Sequence, residues 1–223
     1  MDAINHSTSF ASMVAAKWYS RMAGFDLILS KVRPGEERFE QVRLLRKAAY
    51  RLDSLGLTCS IDDYSHVYLL SRGNVPVGTI RVTDALAGPM ECQEHFPEVL
   101  RTDHAAKTGS ASRFCLWPGG APPFAARLLA EHAWADALDR EIRCDVIDVS
   151  RRAVTYYQKL GYKTVPGRSF RHPVLGTSSV VMVAVASPGF QGSLAWLLGQ
   201  IAETECLQRL LSDLAEIPSS HHH

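Results

Sequence analysis

Cysteine pairs of the kind that hold metals or form redox sites are absent from this chain. It has five cysteines, an odd number, and no two of them form a Cys-x-x-Cys pair. Structural zinc sites and thioredoxin-like redox sites are built on such pairs, so the sequence favours no bound metal. Scattered reduced thiols are typical of a reducing compartment. We therefore predict a cytoplasmic protein without a metal centre.

An excess of charge and long hydrophobic runs are also missing. The formal net charge is +1, so no overall field would attract nucleic acid, and we predict no nucleic-acid partner. The apolar runs are shorter than a membrane-spanning helix, and the N-terminus has no basic region followed by a long apolar stretch. These features predict neither a transmembrane helix nor a signal peptide.

The chain divides into four segments by its residue pattern. Residues 1–24 predict a short helix or a mobile arm, and residues 25–187 carry the strands and helices of the main domain. Residues 188–217 have the pattern of an amphipathic helix, whose apolar side would pack on its own sheet, on a second subunit or on a membrane surface. Residues 218–223 form a tail ending in three histidines, the remnant of a purification tag. The oligomeric state is left open.

Apolar runs and helical periodicity together predict an α/β fold. The order is β, α, β, β, helix, β, α, β, α, β, α, with a hairpin turn at Gly73 and Asn74 between the two early strands. The passage from SRFCLW through the long helix after Phe124 to CDVIDV implies a right-handed parallel crossover. We predict a single mixed, largely antiparallel sheet with helices on both faces.

A tyrosine motif lies where the last short helix of the domain ends. The stretch RAVTYYQKLGYKTV contains Tyr157, Gly161 and Tyr162, which resemble the Tyr-x-x-x-Gly-(Phe/Tyr) signature of the Gcn5-related N-acyltransferases. That resemblance implies that Tyr157 protonates the departing thiolate of a thioester, and a phenol with a pKa of about 10 can donate a proton at neutral pH. Packing of the ring is the alternative for Tyr157, and it is our interpretation of Tyr156.

The pyrophosphate-binding loop of that fold is degraded in this chain. An ordinary coenzyme A enzyme has a Gln/Arg-x-x-Gly-x-Gly/Ala loop whose N–H groups hold the pyrophosphate at a helix N-terminus. The chain reads LWPGGAPP at that position, with Gly119 and Gly120 present. Pro122 and Pro123 remove amide donors, and no basic residue begins the loop. The sequence thus favours a donor without the adenosine diphosphate part of coenzyme A.

Four further motifs follow one another in the order of a narrower group. They resemble the long-chain N-acyl amino acid synthases and the related acyl-homoserine-lactone synthases, over about residues 25–186. The final motif, RHPVLG, is similar to the N-acyl amino acid synthases in particular. The matched positions are Leu45, Arg46 and Tyr50, then Asp63, Gly78 and Arg81, then Ser112, Arg113 and Phe114, and last 171–176.

This resemblance implies an enzyme that moves a long-chain acyl group from acyl carrier protein to the amine of an amino acid. The donor is a phosphopantetheine thioester, on the carrier protein or on coenzyme A, and no cofactor is bound permanently. Basic clusters near the first helix and after residue 150 would dock the acidic carrier protein. The alternatives are a coenzyme A-dependent N-acetyltransferase of a small amine, a lactone synthase, and a non-catalytic acyl-binding module.

Amide formation from a thioester needs a neutral amine, a stabilised oxyanion and a proton for the thiolate. The resemblance implies that the strands SRFCLW and CDVIDV part to admit the donor. Backbone N–H groups near Phe114, Cys115 and Leu116 would then polarise the thioester carbonyl.

Arginines and possible bases complete the predicted site. Arg46, Arg81 and Arg113 are candidates to bind the substrate, since arginine binds a carboxylate through two hydrogen bonds. The alternative for the last two is a structural salt bridge with an aspartate, namely Asp62, Asp63 or Asp84. The lactone synthases usually have a glutamate three residues before the arginine of Ser-Arg-Phe, where this chain has Ser110. The predicted base is therefore Asp63, His172 or a bound water.

Overall fold

The protein is described here from a computed structural model. The structure describes residues 9–50, 60–97, 105–159 and 162–185. The predicted amphipathic helix over 188–217, the tail over 218–223 and residues 1–8 lie outside these ranges. Among the described residues, no helix is long and apolar enough to cross a membrane. The cytoplasmic location stays a prediction.

A single mixed sheet forms the centre of the fold, as the sequence predicted. Its seven strands lie in the spatial order β1-β2-β3-β4-β5-β7-β6. All neighbouring strands are antiparallel except β4 and β5, which are parallel. The strands are β1 (Leu27–Val32), β2 (His66–Arg72), β3 (Val75–Asp84), β4 (Thr108–Leu116), β5 (Cys144–Ser150), β6 (Lys163–Arg171) and β7 (Ser178–Val185).

Strand β6 is the element that the predicted order left out. It contains Pro166 and Gly167, which are rare inside strands and hide the pattern. The pairing with β7 shifts register between Thr164 and Ser169, so these breaker residues lie in an irregular stretch of the ladder. A proline and a glycine at a bulge are compatible with an edge strand.

Helices cover both faces of the sheet, which confirms that prediction. Helix α2 (Phe39–Tyr50) packs on the face that carries Val67 and Leu69. Helices α1 (Phe10–Gly24) and α3 (Ala125–Asp139) pack on the opposite face, with Tyr68 and Leu70. The alternation along β2 follows from the two-residue period of a strand. The short helix α4 (Val154–Lys159) contributes Val154 and Tyr157 to the cluster on the α3 side.

Helix α1 is attached to α3 through a buried carboxylate. The side chain of Glu131 is fully buried and accepts hydrogen bonds from Trp18 Nε1 and Lys17 Nζ, both at 2.8 Å. The N–H groups of Phe10 and Ala11 donate to Asp139 at the other end of α3. The first described residues of the chain are therefore a docked helix.

The two parallel strands separate almost as soon as they meet. Strands β4 and β5 pair only through Thr108 with Cys144 and Gly109 with Asp145. Two residues further, the N–H group of Ala111 donates to the Asp145 side-chain carboxylate at 2.8 Å. A side chain thus takes the place of the next backbone partner, and a cavity lies beyond the point where the ladder ends.

A bulge in β4 lies beside that cavity. Ser112 pairs with Arg81 and Cys115 with Thr79, so Arg113 and Phe114 together oppose the single residue Ile80. Arg113 has φ of 51°, in the left-handed region that a non-glycine residue occupies at a cost of about 1–3 kcal/mol. Such bulges redirect side chains and leave a residue outside the regular ladder.

Candidate active site

A cavity of about 240 Å³ occupies the space between the separated strands. Residues 111–114 of β4 form one wall, and residues 147–150 of β5 form the other. Ala130 and Trp134 of α3 close the inner side, while Tyr156 and Tyr157 lie along α4. The polar groups of the lining include Tyr50, Glu91, Ser112, Arg113, Asp148, Ser150 and His172.

The bulge in β4 is held from the α2 side by Tyr50. Its hydroxyl donates a hydrogen bond to the carbonyl oxygen of Phe114 at 3.0 Å. The guanidinium of Arg113 lies over the Tyr50 ring, 5.8 Å from its centroid. Burial raises the pKa of Tyr50, so its phenol stays protonated and keeps donating. Two contacts from one side chain thereby fix both bulge residues.

Glu91 joins two arginines at the edge of the cavity. Its carboxylate binds Arg81 Nη2 at 2.5 Å and Arg113 Nη2 at 2.6 Å, with a further hydrogen bond from Arg113 Nε at 3.1 Å. The sequence has Ser110 where the lactone synthases have a glutamate, and Glu91 supplies a carboxylate to Arg113 from 22 residues away. The charge of Arg113 is thus matched by a residue that no motif indicated.

Asp62 continues this network toward α2. It accepts hydrogen bonds from Arg46 at 2.7 and 3.0 Å and from Arg81 at 3.2 Å, and all three side chains are buried. Burial by itself raises the pKa of Asp62, but hydrogen bonds and charge from Arg46 and then Arg81 outweigh it and hold the pKa below its ordinary value. The carboxylate therefore stays ionised between the two arginines.

His172 lies between two carboxylates with its ring orientation set by the backbone. Nδ1 accepts hydrogen bonds from the N–H groups of Val174 and Leu175, each at 3.1 Å. The ring proton must then be on Nε2, which lies 3.8 Å from Asp148 and 3.9 Å from Glu91. The turn RHPVLG thus directs an N–H donor toward the acidic side of the cavity.

Asp148 provides a carboxylate with altered acidity on the β5 wall. The Asp148 side chain is largely buried, and this burial raises its pKa. The neighbouring His172 and a hydrogen bond from Ser179 act in the opposite direction without cancelling the effect. A carboxylate with a raised pKa in a cavity is a typical acid–base group.

Cys92, Asp148 and His172 have ligand atoms within 4.8 Å of one another, a spacing that a metal ion could bridge. A metal would need the lone pair of His172 Nε2, which would move the ring proton to Nδ1, against the two N–H donors. Burial and the nearby carboxylates Asp148 and Glu91 also raise the pKa of Cys92, so the thiolate that a metal needs is disfavoured. The donor set does not suit a metal ion.

The tyrosines of the motif have different surroundings. Tyr157 is half-buried and lines the cavity, and its ring meets those of Tyr156 and Tyr162 edge-on, each at 5.4 Å. Burial raises the pKa of Tyr157, so its phenol is protonated at neutral pH. The Tyr162 hydroxyl is buried and donates to Asp145 at 2.5 Å. Gly161 lies outside the described residues.

No protein-family model matches the chain, and no curated protein matches its sequence. Its structure is similar to FeeM, an N-acyl amino acid synthase from uncultured soil microbes, with a TM-score of 0.60 and 18% identity over 71% of this chain and 89% of FeeM. It is also similar to MesI, a CoA-dependent acyl-homoserine lactone synthase, with a TM-score of 0.56 and 15% identity over 79% of this chain and 97% of MesI. A third similar structure is LasI, an acyl-homoserine lactone synthase, with a TM-score of 0.50 and 16% identity over 70% of this chain and 89% of LasI.

The chain has the Gcn5-related N-acyltransferase fold. The resemblance drawn from the sequence motifs is confirmed at the level of the fold. Its predicted parting of two parallel strands is present as well, because β4 and β5 pair at two positions and then enclose the cavity.

Not all predicted site residues face the cavity of this N-acyltransferase fold. Those that line it are Tyr157, His172, Arg113 and Phe114. Those outside its lining are Asp63, Arg46, Arg81, Cys115 and Leu116. Arg46 and Arg81 are buried in salt bridges with Asp62, which was the alternative given for Arg81. Cys115 packs on the α2 side, because alternate residues of a strand face opposite ways.

The two aspartates of the acidic motif point in different directions. Asp63 is exposed, whereas Asp62 turns inward and binds both arginines. Both residues lie in a single 3₁₀ turn, Ser60–Tyr64, where neighbouring side chains point about 120° apart. The catalytic role predicted for Asp63 stays a prediction, and Asp62 is the partner named in the salt-bridge alternative.

Sequence reasoning missed Glu91 and Asp148. Asp148 carried a weak signal, since it is one of two acidic residues in the otherwise apolar run CDVIDV, and a buried acidic residue needs a partner or a function. Glu91 carried none, because it lies in an irregular stretch before the 3₁₀ turn Gln93–His95. Only the path of that segment in three dimensions brings it to the arginines.

We expect Asp62→Ala to lower the free energy of unfolding by about 3–5 kcal/mol, because it leaves Arg46 and Arg81 buried without this carboxylate. Urea denaturation monitored by circular dichroism measures the change. The matched control is Asp63→Ala at the exposed neighbouring position, where we expect a change within about 0.5 kcal/mol.

The pH dependence of the free energy of unfolding provides a second comparison of the Asp62→Ala and Asp63→Ala variants. Since the pKa of Asp62 is lowered in the folded state, its stabilisation is present above its unfolded pKa of 3.8 and is lost as the pH falls through the folded value. In the Asp62→Ala variant, the free energy of unfolding should therefore fall less steeply as the pH decreases through this range. Equal losses of stability in both variants would contradict the arrangement of the turn.

Proposed function

We propose that this protein transfers a fatty acyl group from a phosphopantetheine thioester to the amine of an amino acid, which yields an N-acyl amino acid and a free thiol. The observation that carries the proposal is the cavity between the separated strands, lined by the phenol of Tyr157 and the carboxylate of Asp148. A thioester held there meets its amine inside a partly enclosed space. Partial enclosure strengthens electrostatic stabilisation and limits access of hydrolytic water.

The oxyanion of the tetrahedral intermediate is stabilised by the backbone of β4. Phe114 belongs to the bulge, where a residue leaves the regular ladder with β3. Its N–H group is the donor that we assign to the carbonyl oxygen of the thioester. The hydrogen bond from Tyr50 to the carbonyl of the same residue supports this role, because it holds the peptide group in one orientation.

Asp148 is the group that we assign as general base. An amine arrives at neutral pH mainly as an ammonium ion, and the lone pair for attack is free only after a proton leaves. The raised pKa of Asp148 increases its basicity, and its side chain lines the cavity. His172, the other base that the sequence predicts, is less suited to this role: its Nδ1 lone pair already accepts backbone hydrogen bonds, and its Nε2 carries the ring proton on the side of Asp148 and Glu91. Its role is to position the carboxylates.

Tyr157 is the group that we assign as general acid. When the carbon–sulfur bond breaks, the electron pair goes to sulfur and a proton must follow. The phenol of Tyr157 is protonated because burial raises its pKa, and its ring faces the cavity from α4. The acceptor carboxylate is assigned to Arg113, the arginine among the described cavity-lining residues.

Acyl carrier protein is the donor that we favour over coenzyme A. The ring of Phe124, at the N-cap of α3, stacks on Trp18 at 5.6 Å and meets Phe25 edge-on at 5.2 Å. Apolar rings and the prolines before them thus occupy the helix end that would otherwise hold a pyrophosphate. Arg151 and Arg152 are exposed directly beside the cavity-lining residues Ser150 and Ala153, where they suit an acidic partner.

The experiment that tests the function supplies decanoyl groups on carrier protein, coenzyme A or pantetheine together with the natural amino acids. Mass spectrometry detects the N-acyl products. We expect kcat/KM to be about tenfold higher with the carrier protein, and the double change Arg151→Glu with Arg152→Glu should remove this advantage without affecting acyl-pantetheine. A higher kcat/KM with acyl-coenzyme A would instead identify coenzyme A as the donor carrier, as in the CoA-dependent synthase MesI. Absence of amide product with every donor would refute the proposed reaction.

We expect Tyr157→Phe to lower kcat by about tenfold or more, because the thiolate loses its proton donor. The fold should be retained, since the ring still packs between Tyr156 and Tyr162. Single-turnover measurements with acyl-pantetheine report the chemical step. Tyr156→Phe is the matched control at the neighbouring, more exposed ring, and should leave kcat unchanged. Equal rates for all three proteins would return Tyr157 to a packing role.

We expect Asp148→Asn to lower kcat at neutral pH by about 10²–10⁴-fold, because no carboxylate then removes the ammonium proton. The defect should shrink as the pH rises toward the pKa of the amine, since the free amine no longer needs a base. A pH–rate profile of both proteins is the measurement. A loss that stays constant across the pH range would mean that Asp148 only shapes the cavity.

A further inference from the structure

The cavity between the strands has a small neighbour behind Trp134. This second space is about 20 Å³ and lies at the end where β4 and β5 are still paired, beside Gly109 and Asp145. Ile80, Ala111 and Trp134 line both spaces. The Trp134 indole is the bulkiest of these three shared side chains, so it is the main partition.

The partition is fixed by hydrogen bonding. Trp134 is buried, and its Nε1 donates to the hydroxyl of Tyr162 at 3.2 Å. That hydroxyl in turn donates to Asp145, which also accepts the N–H group of Ala111. The indole is therefore tied to the same carboxylate that separates the two strands. The position of the indole is therefore fixed by the same group of hydrogen bonds that ends the pairing of β4 and β5.

The space behind Trp134 has walls suited to an apolar chain. Small residues provide much of its surface, and the single charged member is Asp145, whose carboxylate is engaged by Tyr162 and Ala111. Burial raises the pKa of Asp145 to about 6. The remaining walls are Ile80, Val82, Gly109, Ala111, Ala133, Ala137 and Ile142.

The size of the main cavity sets a limit on the acyl chain. An apolar cavity of about 150 Å³ is known to hold a six-carbon ring, so one of about 240 Å³ that also admits the reacting groups holds at most roughly ten carbon atoms of the chain. A chain of sixteen carbons would need further depth, and Trp134 blocks the direction in which the small second space lies.

We propose that Trp134 is the end stop of the acyl site, that it restricts this protein to acyl chains of about ten carbons or fewer, and that the space behind it is a latent extension. The inference rests on the proposed function, because it takes an acyl thioester as the occupant of the cavity. It adds the chain-length class of the donor and the residue that selects it.

The test measures binding of acyl-pantetheines with six, ten and sixteen carbons by isothermal titration calorimetry. We expect the wild-type protein to bind the ten-carbon chain at least about tenfold more tightly than the sixteen-carbon chain, since a terminal segment left in water loses the gain from its buried methylenes. Trp134→Leu should weaken this preference, because it joins the two spaces and lets a longer chain extend past position 134. Wild-type preference for sixteen carbons would overturn the proposal.

Two further variants make the result independent of how well Trp134→Leu folds. Adding Ala137→Leu to Trp134→Leu refills the space behind the indole, since Ala137 lines only the second cavity, and should restore the ten-carbon preference. Ala130→Leu narrows the main cavity one turn earlier on α3 and should shift preference toward six carbons. Trp117→Leu is the matched control, since Trp117 lines neither space and should change nothing.

Turnover separates this inference from the proposed function. If the binding preferences shift as described but no variant forms an amide, the end stop stands and the transferase proposal fails. If amides form but Trp134→Leu, Ala130→Leu and wild type share one chain-length profile, the transferase proposal stands and the end stop is refuted. Absence of acyl-pantetheine binding by the wild-type protein would refute the end stop directly.

Discussion

The separation of β4 from β5 depends on where one carboxylate lies. Asp145 accepts the N–H group of Ala111, so the donor that would have continued the parallel ladder is satisfied by a side chain. A buried N–H group without a partner would destabilise the fold, and Asp145 removes that penalty while the strands diverge. Tyr162 and Trp134 complete the arrangement with two further hydrogen bonds. The cavity exists because the ladder can end there at little cost.

The buried charges support this cleft from the other side of the sheet. Arg46, Arg81 and Arg113 face Asp62 and Glu91 in a continuous network, and the chain thereby buries three guanidinium groups next to an apolar cavity. Burial of charge is tolerated when every group is paired at good geometry. These arginines hold the acidic turn, β3 and the bulge in β4 together. Arg46 and Arg81 lie outside the cavity lining, and Arg113 alone of the three extends this network into it.

The same network gives Arg113 an acidic partner that the sequence motifs did not predict. Ser110 stands where the lactone synthases usually have a glutamate, and Glu91 reaches Arg113 from the irregular segment after β3. The left-handed backbone of Arg113 is stabilised by those bonds and by the Tyr50 ring. His172, with its proton directed by two backbone N–H groups, faces Glu91 and Asp148 together. Two carboxylates are thus gathered around His172 at the cavity.

Local patterns in the sequence determined the mixed sheet, the helices on both faces, the crossover between β4 and β5, and the position of Tyr157, since periodicity and short motifs act over a few residues. They also indicated the degraded pyrophosphate loop. Tertiary structure decided the rest. It turned Asp62 rather than Asp63 inward, brought Glu91 across 22 residues to Arg113, and engaged Nδ1 of His172 with two backbone N–H groups. It also set Trp134 between two cavities. These outcomes depend on how distant segments pack, which no local pattern encodes.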